Sequence, residues 1–217
     1  MAEPEVQDQN SPAVVTVMTT EHFVLQTARS AGIAEVNGRA GFYLAAVSSG
    51  LIALAFIGQL SRLGTACYVL GLAVLPTLAF VGLTTFERAL RNGVEDFRLA
   101  GRINRIRQFY FDAAPQVARY LPPPSPELPA PSYSPSWYQF LNPAGALAVV
   151  NSVLIGGVLG LAVQAGTGTL AASAAAGVIT GAGALAAHLA RQREIWLTER
   201  QPSSTAQWAP ARASPRS

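Results

Sequence analysis

The chain has 217 residues, half of them hydrophobic and only 12% charged, about half the charged share of an average soluble domain. Its charges leave three stretches bare, 40–61, 63–86 and 128–190, which are 22, 24 and 63 residues long. A helix crossing a bilayer needs about 20 mostly apolar residues, so these stretches have room for one span, one span and two. That excludes an ordinary soluble globule, a disordered tail protein and a disulfide-stapled secreted module.

All 15 basic residues are arginine, which fits a GC-rich genome favouring arginine codons. The net charge of +3 is too small to imply nucleic acid, and none is expected as a partner. Cys67 is the single cysteine, so an internal disulfide and a Cys-based metal cluster are ruled out. It is expected to pack as a small hydrophobe. The opening Met-Ala-Glu-Pro-Glu carries acid where a secretory leader carries base, so no cleavable leader is expected.

In chain order, residues 1–18 are polar, acidic and proline-bearing, and read as a disordered tail. Residues 20–39 are helix-compatible but weakly striped. Gly32 and Gly38 argue against one unbroken helix, and the segment reads as a juxtamembrane helix. The first span covers about 40–60 and the second about 63–86. The link at 59–62 is too short for anything but an antiparallel neighbour. Pro76 should kink the second span by removing a backbone donor.

Residues 87–121 hold seven arginines and four acids. On a helical wheel Phe86, Leu90, Val94 and Phe97 share one face, while Leu99, Ile103, Ile106, Tyr110, Val117 and Leu121 fall nearly opposite. Either the helix bends near Gly101 or its two halves meet different partners. Arg91, Arg98, Arg102 and Arg105 align within about 60° at roughly 100° per residue. Glu95 is spaced to pair with Arg91 and Arg98, and Pro115 should end the helix. Residues 122–141 contain seven prolines and read as a semi-rigid spacer. Tyr133, Trp137 and Tyr138 then form an interfacial anchor. The third span covers about 142–164 and the fourth about 169–190, with the turn at 165–169. Residues 191–200 continue the last helix into water, and 201–217 read as a disordered tail.

Fourteen of the 15 arginines fall outside the two short hairpin links, which carry only Arg62. Positive residues stay on the cytoplasmic side, so both termini and residues 87–141 are expected there. The expected fold is all-α: a multi-pass protein of the bacterial inner membrane, with two transmembrane hairpins joined by a cytoplasmic amphipathic helix.

Small residues dominate helix contacts in lipid. Gly156 and Gly160 form one small-xxx-small ridge, and Ser173, Gly177 and Gly181 another. They fit packing of the third span on the fourth, with homo-oligomer contacts as the other use. No Asp, Glu or Arg lies within the spans, which weighs against an ion-coupled transporter. Asn151 fits an interhelical hydrogen bond or, alternatively, a pore lining. His188, one turn before Arg191, fits a cationic side chain reaching to the interface. His22 is its only fellow, so no metal site is expected.

Gly166-Thr-Gly168-Thr-Leu-Ala171 and Gly181-Ala-Gly183-Ala-Leu-Ala186 match a loose dinucleotide-binding pattern. The apolar run before the first is far too long for a strand, and no acid follows until Glu194. No hydrolase, metalloprotease or P-loop motif is present. Neither an enzyme nor a cofactor is expected.

The segments HFVLQTARSAGIAEVNGRA, SRLGTA and GVEDFRLAGRINRIRQFY, within residues 21–120, resemble a group of uncharacterised actinobacterial multi-span membrane proteins. That resemblance implies membrane location and no mechanism. The order of helix, two close spans and cytoplasmic helix is similar in shape to the two-span effector modules of bacterial defence systems. The functional expectation is a non-enzymatic membrane scaffold or regulator, using Arg91, Arg98, Arg102 and Arg105 to engage anionic lipid or a cytoplasmic partner. The alternative is a small oligomeric pore built from the glycine-rich spans, with Asn151 facing the lumen.

Overall fold

The computed structural model describes residues 11–124, 140 and 142–199, and these are all-helical, with no strand among them. The elements are α1 (Pro12–Leu60), α2 (Thr65–Ala113), a 3-10 turn (Pro115–Arg119), α3 (Pro143–Thr167) and α4 (Leu170–Glu199). Each of the four helices holds a stretch long and apolar enough to cross a membrane. Tyr133, Trp137, Tyr138, most of the proline spacer and the tail at 201–217 lie outside the described residues.

The helix ends follow local chemistry. The Ser11 hydroxyl accepts the Val14 N–H at 3.4 Å, and the Asn142 side chain accepts the Gly145 N–H at 2.7 Å. In both caps a proline comes next, where its missing donor costs nothing. α3 stops on Gly168 at φ +68°, a left-handed residue that glycine adopts without penalty. α2 stops just before Pro115, as the sequence requires.

Two boundaries differ from the sequence reading, and one alternative it left open is decided. α1 starts at Pro12, so residues 12–18 are helical where a disordered tail was expected. α1 also runs unbroken through Gly32 and Gly38. At Gly32 the reason is tertiary: a Cβ there would lie 2.6 Å from the Asn92 Oδ1 of α2, so the glycine admits its neighbour. Finally, α2 continues through Gly101, and the change of apolar face reflects two packing partners. Phe86 meets His188 and Phe97 meets Trp196, both on α4, whereas Tyr110 meets His22 on α1.

Length decides what lies outside the bilayer. α1 and α2 have 49 residues each, or about 74 Å at 1.5 Å per residue. A hydrocarbon core is about 30 Å thick. More than half of each helix therefore stands beyond it, and residues 12–39 of α1 pair with 88–113 of α2 as an antiparallel stalk. At the level of the spans, Ile52, Phe56, Val69, Phe80, Val153 and Ile179 are exposed, the surface a lipid-facing bundle presents.

α2 is the central helix and touches α1, α3 and α4, whereas α1 and α4 do not meet. The closest packing joins α3 to α4. A Cβ on Gly156 would stand 2.5 Å from the Gly177 carbonyl oxygen, one on Gly160 3.1 Å from that of Ser173, and one on Gly181 3.2 Å from that of Ser152. The two small-residue ridges thus face each other within one chain. The Ser173 hydroxyl also donates to the Gln164 Oε1 at 2.8 Å. Gly156→Ala should therefore lower stability by about 1–3 kcal/mol, the usual cost of overpacking. Gly183→Ala, with open space around its Cβ, should not. Thermal unfolding of both variants in one detergent checks the contrast.

Candidate functional site

Two polar layers sit where the spans end. The inner one joins all four helices. Asn151 of α3 is fully buried. Its Oδ1 accepts from the Tyr43 hydroxyl of α1 at 3.3 Å, and its Nδ2 stands 3.3 Å from the His188 Nε2 of α4. α2 contributes Gly82, where a Cβ would collide with the Asn151 Oδ1 and the Tyr43 hydroxyl. It also contributes Phe86, edge-on to the His188 ring at 4.6 Å.

The chain of donors fixes the histidine. Nδ1 lies 2.6 Å from the Ala184 carbonyl oxygen, which can only accept, so Nδ1 carries the proton. Nε2 then faces the Asn151 amide. This corrects the expectation that His188 reaches to the interface: the side chain is buried. Ser152, at 3.5 Å from Nδ1, donates its own hydroxyl to the Ala148 carbonyl oxygen. Asn151 accordingly faces no lumen. It is held between helices because an unmatched amide costs several kcal/mol in an apolar setting.

The outer layer is a belt of ion pairs that begins one turn further out and extends over several turns. Glu35 accepts from Arg88 at 2.8 Å and from Arg39 at 3.0 Å, and Arg29 grips Asp96 through two bonds of 2.6 and 3.1 Å. These tie α1 to α2. Arg191 reaches Glu87 at 3.0 Å, and the Arg98 Nε reaches Glu199 at 3.0 Å. These tie α4 to α2. Exposed pairs of this sort contribute at most about 1 kcal/mol each, so their role is to set the helices' register outside the membrane.

The four aligned arginines are therefore not equivalent. Arg98 is engaged with Glu199, and Arg91 stands 3.9 Å from Glu87. Arg102 and Arg105 are exposed and form no ion pair with a described residue. Glu95 forms no salt bridge with Arg91 or Arg98 and acts on Arg98 only through its charge. The nearer acids on α2 and α4 replace it. Sequence reasoning missed Tyr43, Gly82 and the cross-helix partners Asp96 and Glu199. Tyr43 was visible as a polar tip one turn inside Arg39, but nothing local indicated its partner. Among the described residues no three metal-ligating side chains gather. The two dinucleotide-like stretches form a hairpin turn at Gly166–Ala171 and an unbroken helix at Gly181–Ala186.

Comparison with family models, curated proteins and solved structures gives no match to this chain.

Asn151→Leu strands the Tyr43 hydroxyl and the His188 Nε2 together, and should cost about 1–3 kcal/mol. Tyr43→Phe added to that variant should cost little more, because its partner is already gone. A thermal double-mutant cycle measures this coupling. The belt carries a pH signature as well. The hydrogen bond from Arg88, aided by that from Arg39, outweighs burial and holds the Glu35 carboxyl below its ordinary range. Its contribution is present above the unfolded value and fades as pH falls through the lower folded value. Distances across the stalk, read by spin labels on α1 and α2, should broaden only in acid, and Glu35→Gln should remove that dependence.

Proposed function

We propose that the protein is a non-enzymatic membrane scaffold of the bacterial inner membrane, which holds a helical stalk in the cytoplasm as a docking post for an acidic protein partner. One observation supports this over direct lipid binding: α2 continues as one unbroken helix past Glu87 to Ala113. Arg102 and Arg105 follow Glu87 by 15 and 18 residues, so they stand about 22 and 27 Å further along the helix. Screening at physiological salt acts over about 8 Å. Anionic headgroups therefore exert little pull on these two arginines, although they remain within reach of Arg91 near the base. A soluble acidic surface meets both without obstruction.

The arginine distribution supports the cytoplasmic placement of both termini. The pore reading loses its lining residue, since Asn151 is enclosed within a single chain, and the glycine ridges that could join subunits are occupied by α3 and α4.

A fluorescent polyglutamate peptide can stand in for the partner, with the intact protein held in uncharged phosphatidylcholine nanodiscs. Arg102→Gln with Arg105→Gln should weaken peptide binding about tenfold, and high salt should abolish it. Arg91→Gln should change it little. If the double variant binds like the parent, the docking-post reading fails. If it instead loses co-purifying anionic lipid, direct lipid binding takes its place.

A further inference from the structure

At the level of the ion-pair belt lies a cavity of about 250 Å³, walled by α1, α2, the start of α3 and α4. Val36 and Leu90 form part of its apolar wall, and Trp196 closes one side. Besides Asp96 and the capping Asn142, its polar contributors are Asn37, Asn92 and Gln192. None of these three amides hydrogen-bonds to a described residue, and Gln192 is 95% buried with its Oε1 unmatched. A buried amide is rarely left this way, because an unmatched group costs about 1–3 kcal/mol. Asn92 is half-buried and Asn37 exposed, and with Gln192 they bring to one cavity three amides, each able both to donate and to accept, the complement of a ligand that does the same.

We infer that this cavity binds an uncharged polyhydroxylated group, a sugar or comparable polyol, with Asn37, Asn92 and Gln192 meeting its hydroxyls and Trp196 covering its less polar face. Charge on the wall argues for a neutral ligand. Asp96 lines the cavity, but Arg29 takes both of its oxygens. A phosphate would meet that carboxylate with no free cation beside it. An ammonium would have to displace Arg29. The location admits two sources for the same chemistry. The cavity lies just beyond the ends of the spans, at headgroup level, so a glycolipid could supply the sugar from the membrane and a free sugar could enter from the water.

The test uses the full chain with Trp137→Phe and Trp208→Phe, which leaves Trp196 as the reporter among the three tryptophans. The protein is held in phosphatidylcholine nanodiscs that carry glucosyl-diacylglycerol or phosphatidic acid, or in plain ones given methyl glucoside. A saturable Trp196 emission shift with glucosyl-diacylglycerol alone assigns the lipid source. A shift that methyl glucoside also produces assigns the free sugar. In either case Gln192→Leu should weaken binding about tenfold or more. The same variant should raise the melting temperature of the ligand-free protein, because it removes the orphaned amide, so loss of binding is separable from loss of fold. The inference is overturned by no saturable shift with either glucoside, by an equal shift with phosphatidic acid, or by unchanged binding in a folded Gln192→Leu protein.

Discussion

Hydrocarbon does not solvate charge, and this constraint sets the vertical register of every helix. α1, α2 and α4 carry charge only beyond their apolar stretches and α3 carries none, so Arg39, Glu87 and Arg191 mark one level, while Arg62 alone marks the other. Because α1, α2 and α4 run through the upper level without breaking, one rule produces two environments in the same helix. Below it, helices meet through small residues and one buried amide. Above it, they meet through arginine–carboxylate pairs.

The inner polar layer shows how a membrane bundle gains specificity without hydrophobic drive between helices. Glycine ridges bring α3 and α4 close, but similar ridges could slide by a turn. Asn151 restricts that freedom, because only one register presents a hydroxyl and an imidazole acceptor together. Gly82 is part of the same device: its missing side chain is the space that the Asn151 and Tyr43 tips occupy. The cavity above this layer is the opposite case, a place where polar groups converge and the protein leaves them unmatched.

Much of the fold was legible from the sequence. The charge-free stretches located four spans, Pro115 ended a helix, and Gly168 fell at a turn. The arginine stripe was legible too, but not its division into engaged and free members. Arg98 lost its freedom to Glu199, a residue 101 positions away. Glu95, nearer in sequence and correctly spaced, makes no such pair. Helical spacing ranks neighbours on one helix and says nothing about a carboxylate arriving from another.

The sequence by itself determined where charge could not go, and hence the number, length and antiparallel order of the membrane helices. Burial in lipid is a property of each segment's own composition, so it can be read one segment at a time. Only the tertiary structure decided which polar tips meet, Tyr43 with Asn151 and His188 and Arg29 with Asp96, and which buried amide, Gln192, is left unmatched beside a cavity. Those outcomes depend on the rotation of each helix about its axis. That rotation is settled when all four helices pack together, since a hydrogen bond or ion pair exists only if both partners arrive within about 3 Å.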